Sequence, residues 1–501
     1  MIHDAAYEHD GPQEPRAAAM TESPILRRIE RHARAASGSP AVTDGSGTMT
    51  YGRLWDEASA CAELLAPYGG PGVPIGLCLP AAVPYVPALL GAARTGHAAI
   101  LLPSSLGTGE LRAYCRDAGV RIVLATADQR MMVEMAGGRP LRRGPAGLEV
   151  FTLDAPTAWV MQPGDFIGQL TSGADNPPKV AVRTHAAVWT EIEHLAEALG
   201  FTRHDATLVL SAISHSYGLV GGTLVPLCWG ARVILGDRRY PEEVLRIVQR
   251  ERPTILFGVP VAYAALAEAP GAAGSLSSLR LCLSAGSPLP QAVEERFAAR
   301  YGHRICQDYG STEVGTISLS LDRALDPVGS VGRPLPHVSV TIVDPHERVV
   351  PPGERGQVVV RSPALARRYL GAPSAASLGL AGDHLATGDL GWLDGEGYLF
   401  LAGRMRSLIH AAGGAVDPVM VESVISRLPG VREVAVVGVP GAAPAERLKA
   451  VVVAEGISAA RIREHCRAHL GGGGVPEIVE FRDAIPRTPA GKILRHALRG
   501  N

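Results

Sequence analysis

The sequence predicts an α/β protein in two unequal parts. The larger, N-terminal part is expected to hold two parallel-sheet α/β subdomains plus a small β-barrel-like subdomain. The smaller, C-terminal part is expected to be a mobile α+β domain. Three observations carry this reading. Short apolar strand candidates alternate with helix candidates over 24–128 and again over 186–300, which is the pattern of a parallel sheet covered on both faces. After about 325 the strands are joined by Gly/Pro turns, as in an antiparallel sheet or small barrel. From about 404 a compact unit with its own helices and strands begins.

The elements follow in order. Residues 1–22 read as a flexible leader. A helix over 25–35 leads to a strand at 41–43 and a second helix over 51–65. The apolar strand Pro74–Leu79, an apolar helix over 82–94, a strand over 98–102, a helix over 109–118 and a strand over 121–125 complete the first run. The second run holds strands over 206–210, 231–235, 254–257 and 279–283, with the helices Pro241–Glu251 and Gln291–Tyr301 among them. Strands over 338–343, 357–361 and 398–401 form the turn-rich part. A helix over 418–428, strands over 431–437 and 450–454, a helix over 458–470 and the strand Ile478–Phe481 form the last. The expected division is a leader at 1–22, a large domain at 23–403, a hinge at 404–407 and a small domain at 408–501.

The 501 residues allow about three domains at roughly 100–200 residues each. Apolar residues make up 46%, enough for a sizeable core. The net charge of −1 argues against a nucleic-acid partner, which needs a basic face, and against a disordered polyanion. Seven scattered cysteines without a CxxC pair are neither a disulfide framework nor a zinc site. The acidic N-terminus is no secretory signal and no membrane span is expected, so a cytoplasmic setting fits. Of 48 basic residues only three are lysines: Lys179, Lys449 and Lys492.

Five segments carry chemistry. In Thr171-Ser172-Gly173-Ala174-Asp175-Asn176-Pro177-Pro178-Lys179, small and hydroxyl residues end in a lysine, as in a loop that wraps phosphate. In Gln307-Asp308-Tyr309-Gly310-Ser311-Thr312-Glu313, a glycine permits close backbone approach, and a hydroxyl beside a carboxylate can serve a phosphate and Mg²⁺. In Ala386-Thr387-Gly388-Asp389-Leu390-Gly391, an Asp is shaped to accept both ribose hydroxyls. The last two are Gly403-Arg404 with Gly413-Gly414-Ala415-Val416-Asp417-Pro418, and Pro486-Arg487-Thr488-Pro489-Ala490-Gly491-Lys492-Ile493. Taken alone, each also reads as an ordinary turn or surface loop.

Together, in this order and spacing, the five resemble the adenylate-forming superfamily of acyl-CoA synthetases, peptide-synthetase adenylation domains and luciferases. The resemblance covers about residues 24–500. It includes Leu102-Pro103, Gly329-Ser330-Val331-Gly332-Arg333-Pro334 and Gly353-Glu354-Arg355-Gly356. It implies two half-reactions, the first giving an acyl-adenylate from a carboxylate and ATP, the second transferring the acyl group to a thiol as AMP leaves. It also implies rotation of the small domain about a hinge at Arg406 or Ser407.

By resemblance, Asp389 binds the ribose with Arg404 beside it, and Tyr309 stacks near adenine, with Gly310 and Ser311 in the same nucleotide-binding segment. Thr312 touches the α-phosphate and Glu313 serves Mg²⁺. Thr171, Ser172 and Lys179 belong to the phosphate loop, and Lys492 is the adenylation lysine. Gly413 lines a pantetheine tunnel that His215 gates. Tyr217, Tyr263, Ala285, Gly286 and Gly310 are pocket candidates. Ser214-His215-Ser216-Tyr217 lacks the Asp that pairs an amino-acid ammonium, so the expected acid is bulky, apolar and without an α-amine. The thiol is CoA or a carrier protein's phosphopantetheine. Arg367-Arg368 and Arg142-Arg143 are candidates for the 3′-phosphate of CoA.

The phosphate loop departs from the family pattern. Ala174, Asp175, Asn176 and Val180 replace two hydroxyl donors and two glycines, and Asp175 adds a like charge. The expectation is an acid–thiol ligase that makes acyl-CoA from acyl-AMP and CoA, with ATP-driven adenylation weakened or lost and the adenylate supplied by a partner enzyme. The alternatives are a complete ATP- and Mg²⁺-dependent acyl- or aryl-CoA or carrier-protein ligase, and a non-catalytic acyl-AMP binding protein. Lys179 and Lys492 fall in the two segments that would handle phosphate. A compact ammonium is not interchangeable with guanidinium there.

Overall fold

The computed structural model describes residues 23–499 except 71, 155–160, 172–178, 271–275, 322–325, 371–379, 382, 406–408, 412–413, 442–445, 471–473 and 488–492. The first described element is the helix Pro24–Ala35, N-capped by Ser23, which buries Ile25, Ile29 and Ala33 on one face.

Two large mixed sheets follow. The first runs, in spatial order, Arg368–Leu370, Lys179–Thr184, Asp165–Thr171, Ala98–Pro103, Pro74–Leu79, Ile122–Thr126, Leu148–Thr152 and Arg139–Arg143. Its four central strands are parallel and its flanks antiparallel. Pro74–Leu79 is buried along its whole length because helices cover both faces. The second sheet runs Arg333–Pro334, Gly315–Leu319, Cys306–Ser311, Leu281–Ser284, Ile255–Gly258, Ala206–Val209, Arg232–Leu235, Pro40–Asp44 and Gly47–Thr50.

The sequence reading placed 24–128 in one run. The structure instead sends the hairpin of Pro40–Asp44 and Gly47–Thr50 to the edge of the second sheet, where Val42 and Thr43 align in parallel with Val233 and Ile234. Ala41 and Val42 are fully buried there, and that burial outweighs proximity along the chain. One continuous apolar core spans both sheets.

Ser339–Val343, Gly356–Arg361, Leu380–Ala381, His384–Leu393 and Leu399–Arg404 form an antiparallel sheet, in open order among the described residues. The last sheet, from Ile409–Ala411, Gly414–Val416, Val431–Pro440, Glu446–Ala454 and Ile478–Phe481, packs on the helices Pro418–Ile425 and Ala459–Leu470 around separate apolar clusters. Lys449, expected just before a strand, lies inside Glu446–Ala454 and is ion-paired to Glu480 at 2.6 Å. All seven cysteines are buried and free. No described helix is long and apolar enough to cross a membrane.

Candidate active site

Two antiparallel strand pairs border one cleft, which Thr171 of the first and Tyr309 and Gly310 of the second line. In the first, Thr171 at the end of Asp165–Thr171 stands opposite Lys179 at the start of Lys179–Thr184. Strand Arg368–Leu370 pairs with the latter and brings Tyr369 alongside. The Lys179 ammonium lies 6.0 Å from the Tyr369 ring centroid, and the Tyr369 hydroxyl donates to Glu313 Oε1 at 2.8 Å. Burial, with the Glu313 charge, pushes the Tyr369 hydroxyl up, so it remains a donor. Sequence reasoning missed Tyr369, because an aromatic residue in a short strand carries no local signal of function.

In the second hairpin, Cys306–Ser311 and Gly315–Leu319 flank a turn that carries Thr312 and Glu313. The Tyr309 hydroxyl donates to Asp389 Oδ2 at 2.7 Å, and Arg404 Nε donates to Asp389 Oδ1 at 2.7 Å. Asp389 and Arg404 are register partners on neighbouring antiparallel strands. Of the 307–313 and 386–391 segments, which also read as turns, residues 307–311 and the whole of 386–391 lie in strands. A carboxylate has about four lone-pair positions, so Asp389 retains acceptor capacity beyond these two bonds. Gly403 has φ +107°, and a Cβ there would lie 2.5 Å from Asp417 Oδ2. Only glycine lets Asp417, the N-cap of Pro418–Ile425, come so close.

Behind both hairpins lies a buried ion pair. Arg183 Nη1 donates to Glu191 Oε2 at 2.7 Å, with the two side chains 0% and 1% exposed. The same guanidinium donates to the carbonyls of Val314 and Ala364 and to Ser216 Oγ. It thereby ties the Glu313 turn and the His215 segment to the first sheet. After His215 the chain enters a π-helical stretch, Tyr217–Leu224. Such widened turns recur at functional sites.

The cleft encloses a cavity of about 2370 Å³. Thr171, His215, Gly286, Tyr309, Gly310, Asp389 and Arg404 all line it. Lys179, Ser311, Thr312 and Glu313 do not. They lie at the adjoining end, with Lys179 and Glu313 bridged by Tyr369. Three pocket candidates are corrected. Tyr263 is fully buried in the core, edge-on to Phe297, with its hydroxyl donating to Leu283 O at 2.7 Å. Tyr217 also donates to Leu283 O and packs on Phe257, so it supports the wall from behind. Ala285 is buried next to Gly286 and is not on the wall.

Ser172, Arg406, Ser407, Gly413 and Lys492 lie outside the described residues. The described residues nearest to Lys492 on either side, Arg487 and Ile493, form an antiparallel bridge, and both line the cavity. Arg368 and Arg367 pair with Asp165, and Arg143 pairs with Glu149, so both proposed arginine clusters already have carboxylate partners.

Residues 29–370 match the AMP-binding enzyme family, and 420–492 match the AMP-binding enzyme C-terminal domain. The chain belongs to the AMP-binding enzyme family. It is 33% identical over 478 residues to a feruloyl-CoA synthase from Amycolatopsis sp., covering 94% of this chain and 97% of the relative. It is 28% identical to a 3-hydroxybenzoate–CoA ligase from Aromatoleum sp., covering 93% and 94%. Among solved structures, an anthranilate CoA ligase in complex with anthranoyl-AMP superposes with a TM-score of 0.83 at 25% identity, covering 96% of this chain and 97% of that one. A benzoate CoA ligase from Burkholderia xenovorans LB400 gives 0.83 at 26%, covering 95% and 99%. These relatives agree with an α/β acid–thiol ligase of the adenylate-forming superfamily.

The residues present fit the small molecules such enzymes use. Among the described residues only the Tyr369 hydroxyl bonds the Glu313 carboxylate, which leaves Oε2 for a cation. One carboxylate beside a hydroxyl suits a hydrated Mg²⁺ shared with phosphate. No group of three or more His, Cys, Asp or Glu side chains among the described residues could hold a metal ion wholly by protein.

Proposed function

We propose that this enzyme joins the acyl group of an acyl-adenylate to CoA, acts on a carboxylic acid with a bulky body and no α-amine, and carries out the ATP-dependent first step weakly. The observation that carries this reading is the Tyr309–Asp389–Arg404 cluster on the cavity wall, an intact receptor for AMP, beside a phosphate loop whose sequence has lost its usual donors. Asp389 accepts from the ribose hydroxyls, and Arg404 and Tyr309 hold its carboxylate in place. Burial and the Asp389 charge keep the Tyr309 hydroxyl protonated for that task.

In the thioester step the thiol sulfur attacks the acyl carbon, the bond from that carbon to the phosphate oxygen breaks, and AMP departs with both electrons. His215 gates the thiol's approach, and Gly413 lines its path. The adenylation step falls to Lys492, Thr312, Glu313 and Lys179, and bound Mg²⁺ would supply charge neutralisation on the phosphates. The small domain, 408–501, turns between steps about 404–407.

Asp175 opposes this first step. A like charge at about 4 Å costs roughly 1 kcal/mol in water and about 4 at an effective dielectric of 20. Each missing donor to an ionised phosphate costs about 1.5–3 kcal/mol. The sum would slow adenylation by several powers of ten, at about 1.4 kcal/mol each. Pyrophosphate exchange with a panel of aryl and long-chain acids, run beside thioester formation from preformed adenylates, tests this. Turnover of adenylates with feeble exchange is expected, and vigorous exchange defeats the proposal.

A complete two-step ligase is the second reading. Lys492 and the Lys179–Tyr369–Glu313 arrangement favour it, because those groups serve only ATP chemistry. The aryl-CoA ligase relatives make aryl acids the first panel to try with either reading.

A further inference from the structure

The helix Ala459–Leu470 carries two histidines one turn apart, in the run His465-Cys466-Arg467-Ala468-His469. Residues four apart on a helix are neighbours on one face. The two rings meet accordingly, with centroids 4.2 Å apart and planes tilted by 43°. Cys466 between them turns inward and is buried with Ile462 in the apolar cluster beneath the helix.

The nitrogens of the pair are unevenly used. His469 Nδ1 lies 2.8 Å from the His465 carbonyl oxygen. A carbonyl only accepts, so Nδ1 carries the proton and Nε2 presents its lone pair. His465 Nε2 is buried and has no hydrogen-bond partner among the described residues, and the Val424 carbonyl faces the same ring. A buried nitrogen left in this way is a cost to the fold, whether it is donor or acceptor. One nitrogen tied to a backbone carbonyl and the other open is also the arrangement that metal-bound histidines adopt.

The tilt of the rings matters, because imidazole lone pairs lie in the ring plane. Two of them converge on one ion only where the planes intersect. The other close histidine pair among the described residues, His194 and His337, is stacked within 10° at 4.6 Å, and its planes do not converge. Those of His465 and His469 do.

The charges around the pair are mixed. Arg461 precedes it by one turn, and Arg427 approaches from the segment after Pro418–Ile425. Arg461 is paired to Glu464 at 2.9 Å. Against these cations stand the closing carbonyls of the helix. His469 is one residue from the helix end, where the dipole favours positive charge. No third His, Cys, Asp or Glu completes a ligand set among the described residues, so water fills the other positions.

We propose that His465 and His469 together bind a divalent transition-metal ion. Imidazole suits Zn²⁺, Ni²⁺ and Cu²⁺, whereas Mg²⁺ takes oxygen ligands. The site is therefore separate from the cation position at Glu313, and the proposal does not rest on the ligase reading. By bridging one turn, the ion pins the last part of the helix Ala459–Leu470 and stabilises the fold around it.

The test uses the full chain without a histidine tag, titrated in a calorimeter with ZnCl₂, NiCl₂ and MgCl₂. Wild type should take up one Zn²⁺ or Ni²⁺ per chain at a site that the double variant His465→Ala/His469→Ala lacks. Each single replacement should weaken that binding at least about tenfold, since losing even an outer partner of a metal ligand costs about 10–100-fold. Mg²⁺ should show no difference between wild type and the double variant. Ni²⁺ should raise the Tm of wild type and leave that of His469→Ala unchanged, because an ion that binds only the folded state stabilises it by mass action. His469 is exposed, so its replacement decides the matter if His465→Ala does not fold. Equal Zn²⁺ and Ni²⁺ binding by wild type and His469→Ala overturns the proposal. So does an ion held only between two chains, seen as a dimer in sedimentation, or a Mg²⁺ uptake that vanishes with the two histidines.

Discussion

Replacing Arg183 by methionine should destabilise the large part of the molecule by about 3–5 kcal/mol. The magnitude follows from what the guanidinium does. Arg183 is fully buried and donates to Glu191 at 2.7 Å, to Val314 O and Ala364 O at 3.1 Å, and to Ser216 Oγ at 3.3 Å. Methionine fills much of the volume but leaves the Glu191 carboxylate buried with, among the described residues, only the Thr316 amide as a donor. A lone buried charge is the costly state, whereas a buried pair replaced on both sides by apolar groups is often close to neutral. Arg183→Met/Glu191→Leu should therefore recover more than half of the loss. Urea denaturation followed by tryptophan fluorescence suits the measurement, because Trp189 shares a helix with Glu191 and stacks on Trp229 at 6.2 Å. Activity should fall further than stability, since Ser216 adjoins His215 and Val314 adjoins Glu313. A single variant within about 1 kcal/mol of wild type, or a double variant no more stable than the single, refutes the reasoning.

Asp308→Asn should gain stability relative to wild type as pH rises. Burial first, and the Glu191 charge second, push the folded-state pKa up to about 8, above the unfolded value, so the folded protein holds a proton that the unfolded chain releases. Wild type keeps that contribution below about pH 4 and loses it progressively up to about pH 8, at up to roughly 1.4 kcal/mol per unit. Parallel denaturation midpoints for the two proteins from pH 5 to 8 would contradict this. Asp389→Ala should weaken AMP binding by about 10–100-fold in calorimetry, because bonds to a charged acceptor are worth about 1.5–3 kcal/mol. An unchanged Kd removes Asp389 from the ribose site. Ala174→Thr with Asp175→Gly restores a hydroxyl and a flexible position and removes the like charge. Pyrophosphate exchange should rise at least about tenfold, and no rise would mean that the loop does not limit adenylation.

Much of the site was legible because its residues are gathered by short-range rules. A strand followed by small residues and a lysine, a Tyr-Gly-Ser-Thr-Glu run and an Asp between glycines each have a local reading, and their order pointed to one family. Other features had no such signal. Tyr369 becomes part of the site only through its pairing beside Lys179–Thr184, and that pairing is between segments far apart in sequence. Asp308 stood inside a recognised motif, yet only the tertiary neighbours Glu191 and Thr316 show that its carboxyl is buried without a counter-ion. Tyr263 illustrates the opposite error. An aromatic with a polar tip suits a pocket wall as well as a core, and the decision rests on whether its hydroxyl finds a carbonyl, here Leu283 O.

By itself the sequence determined the α/β class and the alternation that makes the sheets parallel at their centres, and it marked out the residues expected to handle a nucleotide. These depend on periodicity and on side-chain chemistry, which are local. The tertiary structure decided what those residues touch. It sent residues 40–50 to the second sheet, made Asp389 the shared acceptor of Tyr309 and Arg404, withdrew Tyr217 and Tyr263 from the cavity, and left Asp308 on its wall. Those outcomes follow from burial and hydrogen-bond satisfaction across distant segments, and no stretch of sequence contains them.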